Sequence, residues 1–143
     1  MTRPVPVPDD VSQPYWAAAA DHVLTVARCS ACGKLTMPPG AVCPHCESTT
    51  PAFTFTPVSG RGSVRSWTVM RQSFLPGFGD DLPFVLVDVE LVEQAELRLI
   101  GRLLDGVRNG NVEADLRLGA PVEVGFEDVA DGISVLAFRL VNA

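Results

Sequence analysis

The chain has 143 residues, of which 47% are hydrophobic and only 20% charged, and its formal net charge is −6. This length suits one ordinary domain, or a small module joined to one compact domain. The acidic balance argues against binding to a polyanion, and no stretch approaches the roughly eighteen continuous apolar residues of a membrane helix. The apolar excess is therefore expected in a core or in a partner interface.

The first residues alternate proline with valine from Pro4 to Pro8. Proline fixes φ and removes backbone donors, so this leader is either a disordered tail or an extended strap that packs on a neighbouring part of the fold. It lacks the apolar segment of a secretory signal, which predicts a cytoplasmic protein in a reducing compartment.

A helix is predicted from about residue 13 to residue 22. Ser12 is a candidate N-cap, Pro14 fits the first turn, and the alanine run that follows favours a helix. Trp16 on this helix either covers the small core of the next module or anchors a partner protein. His22 is expected at the surface, near the end of the helix.

Two Cys-x-x-Cys pairs, separated by ten residues, contain all four cysteines of the chain. Two such pairs at this spacing favour a closed tetrahedral zinc site over a redox motif or disulfides, although the sequence does not distinguish zinc from iron. Four protein ligands leave no open position, so the site is expected to be structural. His45, inside the second pair, is expected to be a bystander. The predicted ligands are Cys29, Cys32, Cys43 and Cys46.

The remaining pattern is that of β-strands. Short strands are predicted at 24–28 and 34–39, and residues 47–58 read as a linker in which the alternating Phe53 and Phe55 pack on either neighbour. Beyond Ser59 strand-forming residues dominate. The predicted later strands are 64–70, 84–92, 97–104, 122–127 and 133–141, with one helical turn in 112–118.

Five strands, with a helix-like piece between the third and fourth, follow the order of an OB-fold barrel, the oligonucleotide/oligosaccharide-binding fold. The predicted fold is therefore mainly β, with an N-terminal helix and a rubredoxin-like zinc ribbon before a five-stranded OB-fold barrel. The predicted division is a flexible leader at 1–12, a helix plus zinc ribbon at 13–52 and the OB-fold domain at 53–143.

A loop at 73–83 contains two apolar residues that are expected to be exposed, Leu75 and Phe78, among glycines and prolines. Functional loops often have this composition, although an ordinary hairpin connector is the simpler interpretation. Leu75 and Phe78 on this loop, together with Trp16, are the candidates for a partner interface.

The order of these motifs resembles a family of zinc-ribbon plus OB-fold proteins described as acyl-CoA-associated. Gly40 departs from the arginine that the family often has after its two prolines. The matching positions are Tyr15, Trp16, Cys29, Cys32, Gly33, Pro38, Pro39, Cys43, Pro44, Cys46, Ser59, Gly60, Gly62, Ser63, Val64, Leu82, Pro83, Phe84, Gly119, Val122 and Phe126.

The resemblance implies an accessory subunit of a thiolase-fold enzyme: a thiolase, hydroxymethylglutaryl-CoA synthase, an acyltransferase or an aldolase that shortens steroid side chains. It also implies two copies bound to a dimer of the thiolase-like chain, and an acyl-CoA hydratase that is fused or paired. The candidate contacts to CoA phosphates, each alternatively a solvated surface residue, are Arg28, Lys34, Arg61, Arg65 and Arg71.

Because all four cysteines are committed and no nucleophile–base pair stands out, the chain is not predicted to be an enzyme by itself. An alternative is a single-strand nucleic-acid binder, since Trp67, Phe74 and Phe78 are able to stack on bases. The acidic balance argues against that alternative. An enzyme that acts on a thioester without a partner ranks last.

Overall fold

The computed structural model describes residues 3–105 and 115–141. Its N-terminal part is one helix and a three-stranded antiparallel sheet in the order β2-β1-β3. The first elements are α1 (Gln13–Ala20), β1 (Thr25–Arg28), β2 (Leu35–Thr36) and β3 (Thr54–Pro57).

Helix α1 ends two residues before the predicted end, and His22 already has a φ of 60°. Ser12 occupies the N-cap position, but its side chain does not cap the helix. Instead, the Ser12 N–H donates to Asp9 Oδ1 at 2.7 Å, and the Asp9 N–H donates to Ser12 Oγ at 3.1 Å. The cap residue is thus engaged with the turn that precedes the helix.

Strand β3 lies within the segment that was expected to be a linker. It pairs with β1 at four positions and forms an edge of the small sheet, where proline at a strand end is tolerated. The ring of Phe55 lies 6.4 Å from that of Tyr15 on α1. The alternation of phenylalanines is therefore a strand signal, and the segment belongs to the sheet of the metal-binding part.

The C-terminal part is a closed barrel of five strands in the order β4-β5-β6-β8-β7. Strands β6 and β8 run parallel, and the other neighbours are antiparallel. This order confirms the predicted OB-fold, whereas residues 112–114 of the predicted helical turn lie outside the described residues. The strands are β4 (Arg61–Met70), β5 (Phe84–Leu91), β6 (Arg98–Leu103), β7 (Pro121–Ala130) and β8 (Ile133–Leu140).

The interior of the barrel follows from strand alternation. Val85, Val87 and Val89 of β5 are fully buried, whereas the residues between them are only half-buried. Phe138 of β8 is also fully buried. Tyr15, Leu24 and Leu35 of the N-terminal part pack in the same apolar cluster, so the two parts share a continuous core.

Gln94, in the turn between β5 and β6, joins the barrel to the small sheet. Its Oε1 accepts a hydrogen bond from the Leu35 N–H at 2.9 Å, and its Nε2 donates to the Leu35 carbonyl at 2.7 Å. The side-chain amide thereby pairs with β2 as a neighbouring strand would. Among the described residues, no helix is long and apolar enough to cross a bilayer.

Candidate functional site

The two Cys-x-x-Cys pairs lie on turns of the same construction. The Gly33 N–H donates to the Cys29 carbonyl at 2.8 Å, and the Glu47 N–H donates to the Cys43 carbonyl at 2.9 Å. Gly33 and Glu47 both have a positive φ, of 76° and 63°. Glycine adopts this conformation without strain and glutamate does not, so only the first turn has the residue that its backbone favours.

Backbone amides point at the first sulfur of each turn. The Ala31 N–H donates to Cys29 Sγ and the His45 N–H donates to Cys43 Sγ, each at 3.4 Å. Hydrogen bonds of this kind stabilise a thiolate. The imidazole of His45 lies elsewhere, with Nε2 3.0 Å from the Leu35 carbonyl, so its ring contacts β2.

All four sulfur atoms lie within 4.8 Å of one another. The Cys29–Cys46 pair is separated by 3.9 Å and the Cys32–Cys43 pair by 3.8 Å. A zinc–sulfur distance of about 2.3 Å in a tetrahedron requires edges of about 3.8 Å. The sulfur positions therefore fit one tetrahedral zinc ion, and these two separations are far longer than a disulfide bond.

The sulfurs also affect each other's protonation. Backbone N–H groups of Cys46 and His45 lower the pKa of Cys43 to about 6. The Ser48 N–H favours the Cys46 thiolate, but burial and the neighbouring sulfurs of Cys43, Cys32 and Cys29 raise the pKa of Cys46 to about 11.

A divalent cation bound by all four cysteines would offset part of their negative charge, and its binding would release protons. Cys29 and Cys43 are buried, while Cys32 and Cys46 face solvent. Four sulfurs complete a tetrahedron and leave no position for water or substrate, so this centre is suited to a structural role.

The five basic residues predicted to contact CoA do not meet at one place. Arg28 donates to the carbonyl of Gly33 at 2.7 Å, beside the exposed Lys34. The other three lie along or just after β4, where ten residues of extended strand span roughly 33 Å. Arg65 forms an ion pair with Glu90 at 3.1 Å. Their role in CoA binding stays a prediction.

The three interface candidates have different surroundings. Trp16 is half-buried, with its ring perpendicular to that of Tyr15 at 5.1 Å, so it covers the core of the N-terminal part. Leu75 is 59% exposed. Phe78 is half-buried rather than exposed, because it packs against Phe84, and the centres of the two rings are 6.1 Å apart. The sequence indicated Phe74 only as a residue that could stack on bases. In the structure it lies beside Leu75 with 91% of its surface exposed.

The aromatic residues proposed for base stacking are not equally available. Trp67 and Phe78 are half-buried, and only Phe74 stands in solvent. On the outward face of β5, Asp88 and Glu90 form ion pairs with Arg98 and Arg65, so these two arginines are not available to a phosphate backbone. These surroundings weaken the nucleic-acid alternative.

A serine, an aspartate and a histidine meet near the end of α1. His22 Nε2 lies 2.8 Å from Asp128 Oδ1, and Ser134 Oγ donates to the same oxygen at 2.5 Å. The hydrogen bonds from Ser134 and His22 lower the pKa of Asp128. A catalytic triad needs the imidazole between the other two groups, whereas here the carboxylate is central. The His22 ring also stacks on Phe126 at 5.3 Å, so this cluster ties α1 to β7.

Two curated relatives resemble this chain along most of its length. One is the probable enoyl-CoA hydratase alpha subunit of Thermomonospora curvata, 35% identical over 130 residues that cover 84% of this chain. The matched region is only 39% of that relative's length. The other is a DUF35 domain-containing scaffold protein of Methanocaldococcus jannaschii, 29% identical over 82% of this chain and 80% of that protein.

Two solved structures have the same architecture. A chain of the structure described as the Ltp2-ChsH2(DUF35) aldolase is 29% identical, with a TM-score of 0.76, and the alignment covers 94% of this chain and 98% of that chain. A Sulfolobus solfataricus protein of unknown function from the DUF35 family is 13% identical, with a TM-score of 0.57 over 92% and 86% of the two chains. The second similarity shows the fold alone.

Two family models match consecutive segments of the chain. Residues 16–52 match the model described as the rubredoxin-like zinc ribbon domain of ChsH2. Residues 55–127 match the C-terminal OB-fold domain of ChsH2. Both matches agree with the four-sulfur cluster and the closed barrel, and they confirm the predicted fold and a structural zinc site. The chain therefore belongs to the ChsH2-type family of rubredoxin-like zinc ribbon and OB-fold proteins.

Proposed function

We propose that this protein is a non-catalytic accessory subunit that binds and stabilises a thiolase-fold enzyme acting on acyl-CoA thioesters. The observation that carries the proposal is the match of 94% of the chain to a component of the Ltp2-ChsH2(DUF35) aldolase. The scaffold protein among its relatives supports the same kind of role. The four-sulfur centre supports it too, because a closed metal site offers no position for chemistry.

The partner enzyme in this proposal is an aldolase, a thiolase or an acyltransferase of cytoplasmic steroid or lipid metabolism. Two copies of each chain form a heterotetramer, and the basic residues near the first cysteine turn and along β4 help guide the CoA thioester. The Thermomonospora curvata relative named as a hydratase subunit is much longer than this chain. An acyl-CoA hydratase, either fused to or paired with this chain, is a further member of the proposed assembly.

The tip of the loop between β4 and β5 is the contact surface that we assign to the partner enzyme. Phe74 and Leu75 stand side by side with 91% and 59% of their surfaces exposed. Two adjacent exposed apolar side chains on a loop between glycines and prolines are suited to insertion into an apolar pocket. Burying them in an interface would remove unfavourable apolar surface from water.

The test is co-expression with the thiolase-fold enzymes encoded in the source genome, followed by size-exclusion chromatography at micromolar concentration. We expect one of these enzymes to co-elute with the chain and to be more stable in the complex. The double variant Phe74→Asp with Leu75→Asp should weaken the complex at least tenfold, because two charges would be buried without partners.

The matched control is Val92→Asp, since Val92 is 62% exposed and follows the opposite end of β5. This variant should bind as the unmodified chain does. Separate elution from every thiolase-fold enzyme would refute the accessory role. Equal binding by the loop variant and the control would refute only the assignment of the contact surface.

A further inference from the structure

The proline-rich leader is a strap that lies against the outer face of the barrel. Pro6 is half-buried, whereas the next residue, Val7, is 87% exposed. A cavity of about 270 Å³ remains between the leader and the strands, and it is lined by Pro6 and by Leu86 and Ile100 of the barrel. An open volume removes van der Waals contacts, so the middle of the leader packs only loosely.

Arg3 fastens this loosely packed leader to the loop between β4 and β5. Its Nε donates to the Gly77 carbonyl at 2.8 Å, and its guanidinium forms an ion pair with Asp81. The guanidinium also lies 4.5 Å from the centre of the Phe78 ring, within the range of a cation–π interaction. One side chain thus holds the loop by a hydrogen bond, an ion pair and an aromatic contact.

The contact with Arg3 depends on glycine at position 77. Gly77 has a φ of 85°, and a Cβ at this position would lie 2.6 Å from both the backbone nitrogen and Cγ of Arg3. A Cβ added at Gly79, in the same loop, would have no neighbouring atom within 4 Å. The leader therefore approaches the loop at a place where any larger residue would push it away.

The opposite side of the loop is held by the barrel. Arg102 of β6 reaches Asp81 with Nη1 3.0 Å from Oδ2, and the ring of Phe78 packs against that of Phe84. Asp81 and Phe78 are also the residues that Arg3 contacts. The leader, the loop and the barrel therefore meet at these two residues.

The tip of the loop lies just before this junction. Ser73 Oγ accepts a hydrogen bond from the Leu75 N–H at 3.2 Å, which is a local contact. The hydrogen bond from Arg3 to Gly77 instead joins the segment to a residue 74 positions away. Arg3 thus supplies a long-range restraint two residues from Leu75 and three from Phe74, the exposed pair at the tip.

We propose that Arg3 is a positioning residue, through which the leader holds the tip of the loop in the conformation that docks on the partner enzyme. Without this contact the loop opens, as segments with few restraints do at low free energy. Because only chains with a closed loop dock, the apparent affinity falls in proportion to their fraction. The effect on docking rests on the accessory role proposed above, whereas the hold of Arg3 on the loop needs no partner.

Digestion of the full chain with chymotrypsin measures loop opening without a partner. This protease has an apolar specificity pocket and cuts after aromatic residues, and Phe78 is covered by Arg3 and Phe84. Arg3→Ala should raise the initial rate of cleavage after Phe78 about fivefold, because the open loop is more populated. Mass spectrometry of the fragments identifies the bond that is cut.

Two further variants show whether the effect belongs to the contact. Arg3→Lys keeps a positive charge beside Asp81 but loses the Nε donor, so its cleavage rate should lie between those of the unmodified chain and Arg3→Ala. Arg98→Ala is the matched control, since it removes a guanidinium that is paired with Asp88 at 3.0 Å on the barrel. It should be cut at the unmodified rate.

Isoleucine methyl groups report whether the barrel stays folded. The sequence has two isoleucines, Ile100 on β6 and Ile133 on β8. With carbon-13 labels at the δ1 methyl groups, an unchanged Ile133 signal in each variant shows that the barrel is intact. Faster cleavage is then a property of the loop.

Binding kinetics with the thiolase-fold enzyme that co-elutes with the chain test the effect on docking. Arg3→Ala should lower the association rate constant about fivefold and leave dissociation unchanged, because fewer chains have a closed loop at any moment. Leu75→Ala should instead speed dissociation, since it removes a contact. In a Gly77→Ala chain, Arg3→Ala should cause no further loss, because the new Cβ already displaces Arg3.

Unchanged cleavage after Phe78 in Arg3→Ala would overturn the proposal. So would faster dissociation with unchanged association, which would make Arg3 a direct contact, or an equal further loss in the Gly77→Ala chain. If no thiolase-fold enzyme binds the unmodified chain, the accessory role and the effect on docking are both refuted. The cleavage rates then still decide whether Arg3 holds the loop.

Discussion

The metal-binding part and the barrel achieve stability in different ways. The strands of the first sheet have only two to four residues, whereas those of the barrel have six to ten. A sheet this small buries little apolar surface, and a bound metal ion supplies what the core does not. The barrel buries the valines of β5 and Phe138 instead. Removal of the metal should therefore affect mainly the metal-binding part, whereas truncation of a core side chain should affect mainly the barrel.

The largest effect is expected from Cys43→Ser, which removes one of the two buried sulfurs. Metal binding in zinc-finger peptides contributes about 10–16 kcal/mol, far more than such a small sheet gains by packing. The variant should lose its zinc and the order of residues 13–57, while the barrel keeps its fold. Metal analysis and the two isoleucine methyl signals of the barrel measure both outcomes.

His45→Ala is the matched control for Cys43→Ser, because it alters the same turn without removing a sulfur. It should retain one zinc ion per chain. A Cys43→Ser protein with one zinc ion and unchanged melting would show that the assignment of the ligands is wrong.

The next effect is expected from Phe138→Ala, which leaves a cavity in the centre of the barrel. Such truncations lower the free energy of unfolding by about 3–5 kcal/mol. Urea titration should show this loss in the barrel, with zinc still bound. Leu118→Ala, at a side chain that is 71% exposed, should change the free energy by less than about 0.5 kcal/mol. Loss of zinc together with the barrel would mean that the shared apolar cluster makes the two parts one cooperative unit.

A smaller effect is expected from Gln94→Glu, which keeps the shape of the side chain that joins the two parts. The carboxylate still accepts from the Leu35 N–H but cannot donate to the Leu35 carbonyl. Loss of that hydrogen bond should lower the free energy of unfolding by about 0.5–1.5 kcal/mol, because His45 still contacts the Leu35 carbonyl. Chemical denaturation measures this change, and Gln72→Glu at an exposed position is the control. Equal stability of the two variants would show that Gln94 does not couple the parts.

The features that could be predicted from the sequence have local signals. The spacing of the cysteines identifies the two turns, and the alternation of Val85, Val87 and Val89 identifies β5. Phe53 and Phe55 gave a similar but weaker signal, which the surrounding prolines obscured. Only pairing with β1 makes that segment a strand.

The features that could not be predicted depend on contacts between distant residues. Arg3 contacts Gly77 although 74 positions separate them in the sequence, and Gln94 contacts Leu35 although 59 positions separate them. Neither arginine nor glutamine carries a local pattern that indicates such a partner. Phe78 looked exposed because glycines flank it, but Arg3 and Phe84 cover it in the folded chain.

The barrel closes along one narrow line. Strands β6 and β8 pair at only two positions, Arg102 with Ala137 and Leu103 with Phe138, whereas β4 and β5 pair at eight. Thermal fluctuations should therefore part β6 from β8 before any other pair, and amide protons along this line should exchange with solvent early. The rest of the barrel should stay closed during this opening, because every other pair of neighbouring strands is joined at more positions.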